Sequence, residues 1–218
     1  MKQRALAVTI GLTAVVVVIG LYIGLYLTAQ PGSATASPSA GGAVQLYLAT
    51  VPAAATNDPH PTWVSYYVTN SQRQDWQHKT TFVVPANTTV HVTLFQYDSA
   101  TGLRNEFFSQ AIGTTGGGFT LNGKAVRAIP PANASHVFAI PALGVSVPLA
   151  GVAGNAKNPC SNAPCTGADY NTITFSFRTG AKGLFRWQCF VPCGAGYVQG
   201  FGGPMQTVGY MDGFIKVV

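Results

Sequence analysis

The sequence predicts an all-β domain, an antiparallel β-sandwich, preceded by one N-terminal transmembrane helix. Three observations carry this. Short runs rich in β-branched and aromatic residues recur from residue 43 onwards, separated by turn residues, and no long helical pattern appears after residue 28. Only 8% of the chain is charged, while it holds 25 Gly and 14 Pro, a profile of strands and turns rather than of a Glu/Lys/Leu-rich bundle. At the N-terminus "ALAVTIGLTAVVVVIGLYIGLYLT", residues 5–28, runs for 24 positions without a charge.

As a helix that run is about 36 Å long, enough to cross a bilayer, and longer than the apolar core of a cleaved signal peptide. A cleavage reading has "ATA" at 34–36 as its site. Lys2 and Arg4 before the run place the N-terminus in the cytoplasm and the rest of the chain on the extracytoplasmic side of the cell membrane as a single-pass protein. The division expected is therefore 1–28 for tip and anchor, 29–42 ("AQPGSATASPSAGG") for a Pro/Ser/Ala/Gly linker, and 43–218 for the domain.

Within the domain, "VQLYLAT", "TWVSYYVT" and "TTFVVP" read as strands. In "TTVHVTLFQYD" Val90, Val92 and Leu94 face one way, and Thr89, His91 and Thr93 the other. "SHVFAIP", "VSVPL", "NTITFSFRT", "GLFRWQCF" and "GFIKVV" follow, with Ile173, Phe175, Phe177 and Trp187 on buried faces. Residues 99–134 and 151–170 are long connections, of the kind that carry function or decoration.

Charge and chemistry narrow the function. Twelve basic and six acidic residues give a net charge of +6, but they are scattered, so nucleic acid is not expected as a partner. No Ser/His/Asp or paired-carboxylate arrangement is visible, which points away from a hydrolase. The glycines of "GAGYVQGFGG" open no helix and are not a nucleotide fingerprint. Four cysteines outside the membrane suggest disulfides. Cys160 and Cys165 flank the turn "SNAP" and form a local pair. Cys189 and Cys193 leave a strand into a glycine-rich loop, where a disulfide and a soft-metal site are both open readings.

"ASHVFAIPALGVSVPL" (134–149) and "ITFSFRTGAKGLFRWQCFVPCGAG" (173–196) together resemble the copper-binding domain of cytochrome c oxidase subunit II, and the cupredoxin superfamily generally. The resemblance is close over these two motifs and loose over 80–218. It implies a cupredoxin-like Greek-key β-sandwich, with Ile140 and Leu143 near the strand that holds His136. It also implies a copper site in which His136 stands at the first imidazole ligand, Cys189 and Cys193 at the bridging thiolates, and Val191 near the ligating carbonyl. The ligand loop is degenerate: Tyr197 stands where the family has its second His, Gly200 where it has its Met, and no histidine follows His136. The implied set is thus Cys189, Cys193 and His136, with Met205 or Met211 as a weak fourth ligand, suited to a single copper ion as Cu(I). The function expected is copper binding and electron transfer in or near a respiratory oxidase, with a redox protein or oxidase subunit as partner. Two alternatives stay open: a metal-free accessory or assembly subunit with a Cys189–Cys193 disulfide, and a copper-delivery protein.

Overall fold

The computed structural model describes residues 2–24 (side chains from residue 9), 32–193 and 203–218. The chain forms two compact units, Met1–Pro31 and Gly32–Val218. The first is one helix, α1 (Lys2–Tyr22), with Ile10, Leu12, Val16 and Val18 all more than 60% exposed. Among the described residues no helix is long and apolar enough to cross a membrane. Residues 25–28 of the expected span lie outside the described residues.

The second unit is a two-sheet β-sandwich. One sheet has the order β1 (Ser33–Thr35), β5 (Thr81–Val84), β13 (Asp212–Val217), β12 (Gly183–Gln188), β9 (Ala134–Ile140) and β10 (Val145–Ala150). The other runs β2 (Ser37–Pro38), β3 (Val44–Val51), β6 (Thr89–Gln96), β11 (Asn171–Arg178), β7 (Phe119–Leu121) and β8 (Lys124–Val126), with β4 (Ser65–Val68) also paired to β3.

The alternation in the sequence explains how the sheets face each other. Val90, Val92 and Leu94 of β6 are buried, and their register partners Phe177, Phe175 and Ile173 of β11 are buried beside them. Side chains directly opposite in an antiparallel pair share one face, so these six form one apolar wall. Trp187 anchors the facing wall. It stacks on Phe82 and Phe138 at 5.6 and 5.4 Å between ring centroids, meets Tyr66 edge-on at 4.6 Å, and donates its indole N–H to the Thr80 carbonyl at 2.8 Å. Ile140, at the end of β9, is fully buried, while Leu143 packs against the core from a half-buried position.

Three expectations are corrected. The sandwich is mixed, not antiparallel: β3 pairs with β6, β5 with β13, and β1 with β5 in parallel. The chain leaves the second sheet after β4, enters the first as β5 and returns as β6, so β6 arrives alongside β3 in the same direction. Alternation specifies which face is buried and carries nothing about direction. Residues 33–38, read as linker, supply edge strands β1 and β2 and bury Ala36. They are too short and too Ser/Pro-rich to show a strand period, which is the composition expected at a sheet edge. The connection 99–134 contains the hairpin β7–β8, turned by Asn122 and Gly123, both at positive φ.

The connection 151–170 is decoration: Ala163, Cys165 and Ala168 pack with Tyr67, Phe95 and Tyr97 in a second, smaller cluster. It is stapled by the Cys160–Cys165 disulfide, whose Cα atoms are 5.3 Å apart.

Ile140→Ala should lower the unfolding free energy by about 2–5 kcal/mol, because it leaves a cavity between fully packed walls. Leu143→Ala should cost clearly less. Chemical denaturation of the two variants side by side checks the contrast, and equal losses would contradict the placement of Ile140 at the centre.

Candidate metal centre

β9 and β12 run antiparallel, and Gln188 stands opposite Ala139. Continuing along β12, the chain leaves the sheet beside Val137, and the Val137 N–H points at the Cys189 sulfur at 3.4 Å. Cys189 is tied on its other side by its own N–H to the Met211 carbonyl at 3.0 Å. His136, Phe138, Trp187 and Cys189 are all fully buried, and each ligand candidate is two residues from an aromatic of the core. Strand periodicity therefore puts His136 and Phe138 on one face, and Trp187 lies on the face that Cys189 continues.

The loop then turns the second cysteine back onto the first. The Cys193 thiol lies 3.1 Å from the Cys189 sulfur and 2.9 Å from the Val191 carbonyl. The Val191 carbonyl also faces Cys189 at 3.7 Å. The His136 Nδ1 is 3.9 Å from the Cys189 sulfur, and the ligand atoms of His136, Cys189 and Cys193 all lie within 4.8 Å of one another. Among the described residues this is the group of His, Cys, Asp and Glu side chains whose geometry could hold a metal ion.

The two methionines are placed differently. Met205 is half-buried and its sulfur accepts the Cys193 N–H at 3.3 Å, so it flanks the second cysteine. Met211 is fully buried and touches the site through its carbonyl, as a backbone support. Tyr197 and Gly200 lie outside the described residues. The other histidines stand apart: His91 bonds Ser176 on the outer face of its sheet at 2.7 Å, His78 bonds Asp58 at 2.7 Å, and His60 stacks on Trp63 at 3.9 Å.

One residue of the site has no counterpart in the sequence expectations. Asp98, just beyond β6 in the opposite sheet, meets the His136 Nε2 at 3.0 Å. It is fixed by the Val152 N–H to its carbonyl at 2.9 Å and by the Ser99 N–H to its carboxylate at 2.7 Å.

Burial without water decides the charges. It pulls the His136 imidazole down, but the hydrogen bond to Asp98 and the negative charge at Cys189 outweigh it, and the ring is pushed up to about 9. Burial likewise pushes the Cys189 thiol up, yet the Cys193 thiol, the His136 ring and the Val137 N–H together hold it well below the usual thiol range. Burial and the Cys189 thiolate both push Cys193 well above it. The shifts reinforce one another: the ring favours its protonated form and the Cys189 sulfur its deprotonated form, while Cys193 keeps its proton.

No family model matches the chain, and no curated protein matches it. Solved structures do. A copper protein, rusticyanin, is 16% identical over 92% of this chain and 94% of its own, with a TM-score of 0.36. A heme-copper terminal oxidase dimer gives 12%, 100% and 99%, and 0.31. The periplasmic domain of subunit II of cytochrome oxidase of Bradyrhizobium japonicum gives 15%, 79% and 83%, and 0.29. The chemistry of the site rests on the side chains just described.

Asp98→Asn should lower the His136 titration by about one unit or more, because it removes the carboxylate charge facing Nε2. The imidazole resonances of the metal-free protein, followed by NMR against pH, check this. A ring that still titrates at about 9 in the variant would show that Asp98 does not hold its proton.

Proposed function

We propose that this is a membrane-anchored, extracytoplasmic copper-binding protein that transfers electrons in or near a respiratory oxidase. One observation carries the reading: two buried sulfurs and one buried imidazole, drawn from separate strands, lie within 4.8 Å of one another. An ion bonded to sulfur and nitrogen at about 2.0–2.3 Å spaces its donors about 3.3–4.0 Å apart, close to the separations present. Two thiolates and one imidazole are a soft set that suits a single copper ion as Cu(I), and Met205 is the candidate for a weak fourth ligand. Asp98 plays the outer part that ligating histidines normally need, fixing the ring through its other nitrogen. Anchoring is supported by the uncharged run 5–28 after Lys2 and Arg4, and by the exposed apolar side chains of α1. Copper, when bound, supplies one-electron chemistry. The chain's own residues exclude water, hold the ring in one orientation, and hold two protons that an ion must displace.

A second reading is favoured by one distance. The sulfurs, at 3.1 Å, are within about 1 Å of a disulfide bond, so oxidation would lock them and give a metal-free accessory domain. Thiol titration in denaturant without reductant separates the two: two free thiols per chain support the copper reading, and none supports the disulfide.

The reduced protein should take up about one Cu(I) per chain, and His136→Ala or Cys193→Ser should weaken uptake at least tenfold. Uptake displaces one proton from His136 and one from Cys193. Affinity should therefore rise roughly 100-fold per pH unit from pH 7 towards about 9, and less steeply above, once the imidazolium has titrated. Competition against a chromophoric Cu(I) chelator at several pH values measures both. A pH-independent affinity would mean that these groups are not the ligands.

A further inference from the structure

We propose that the outer face of the second sheet carries a binding site for a small hydroxylated molecule bearing one oxyanion, a sugar phosphate or a sugar acid, held between Arg127 and the pair His91–Ser176. The core separates this face from His136 and the two cysteines, and the inference does not depend on the copper reading.

A cleft of about 720 Å³ opens on this face, a size within the range of small-molecule sites. Its floor follows from the register. Gln45 of β3 stands opposite His91 of β6, and His91 opposite Ser176 of β11. The pairing of β11 with β7, continued by two residues from Thr174 and Thr120, sets Gly118 opposite Ser176. The pairing of β7 with β8, continued by one residue from Phe119 and Val126, sets Arg127 opposite Gly118. Opposed positions share a face, so one row crosses the sheet: Gln45, His91, Ser176, the bare Gly118 and Arg127. Thr93, Thr174 and Thr120 form a second row beside it. Both rows line the cleft.

The glycine turns the row into a site. A Cβ at position 118 would lie 2.8 Å from the Val126 carbonyl oxygen and 3.5 Å from the Arg127 Cγ. The stem of Arg127 therefore passes over the glycine, on the line from its own strand towards Ser176. Neighbouring strands are about 4.8 Å apart, so a long side chain crossing one bare position brings its guanidinium within reach of a ligand that rests on Ser176 and His91. The charge is uncompensated: no carboxylate lines the cleft, and Arg127 forms no ion pair among the described residues. His91 Nδ1 and Ser176 Oγ are 2.7 Å apart, a bond that orients the ring and leaves Nε2 without a partner among the described residues. Gln45 donates to Thr93 at 3.2 Å and keeps its amide oxygen free, while Thr120 and Thr174 bond each other. A planar fork beside a ring nitrogen suits an oxyanion. Hydroxyls and an amide oxygen, which donate and accept, suit the hydroxyls of a neutral body attached to it.

Glucose 6-phosphate and gluconate are the probes, with glucose as the neutral control, titrated into the full chain by calorimetry and by amide NMR. At least one anion should bind about tenfold or more tightly than glucose, and should move the amide signals of residues 91–93, 118–120 and 174–176. The anion that binds tells a phosphate ligand from a carboxylate. Arg127→Gln, a change on an exposed side chain, should weaken that binding about tenfold, and His91→Gln should weaken it too, while His136→Ala leaves it unchanged. Failure of both anions to bind overturns the inference, as does glucose binding as tightly as either, or an Arg127→Gln chain that binds undiminished. None of these outcomes bears on copper uptake.

Discussion

The site depends on one meeting of strands, the antiparallel approach of β12 to β9 that sets Gln188 opposite Ala139. It delivers the Cys189 sulfur to the Val137 N–H, one residue from His136. β12 has no freedom to slide, because β13 holds it along its whole length, from Gly183 opposite Val217 to Gln188 opposite Asp212. β13 in turn packs tightly against the segment before β5, because position 213 has no side chain. A Cβ on Gly213 would lie 1.9 Å from the Thr80 carbonyl, the same oxygen that accepts the Trp187 indole and the Phe214 N–H. A register slip of one residue in β12 would turn Trp187 and Cys189 out of the core together.

A buried site made of ionisable groups needs internal compensation, since each charge taken from water costs far more than packing returns. The chain meets this by economy. Of its six acidic residues, three sit in internal pairs: Asp58 with His78 and Tyr210, Asp98 with His136, and Asp212 with Arg186. At the cluster of His136 and the two cysteines the balance runs Asp98, His136, Cys189, alternating in sign from the second sheet across to the first. The same chain of contacts ties the sheets together at this end of the sandwich.

Much of this was legible in the sequence, for physical reasons that differ residue by residue. The alternation of Val90, Val92 and Leu94 and of Ile173, Phe175 and Phe177 fixes which side is buried, and the spacing of Cys160 and Cys165 around a turn gives the disulfide. Parallel pairing was not legible, because direction follows from sheet-to-sheet crossings. The hairpin β7–β8 had a signal: Asn122-Gly123 between "TL" and "KAV" is the two-residue turn that needs positive φ twice. Asp98 had none. It comes from the other sheet, 38 residues from His136, and no local spacing encodes that.

The ligand atoms of His136, Cys189 and Cys193 are gathered within 4.8 Å of one another in the core of the sandwich. His136 and Cys189 are fully buried and Cys193 is 3% exposed. Phe190, between the cysteines, turns away from them and stacks on Phe108 at 5.0 Å, walling an apolar cavity of about 310 Å³. The groups are oriented by folding: Asp98 of the other sheet holds the His136 ring through Nε2, and the Val137 N–H points at the Cys189 sulfur.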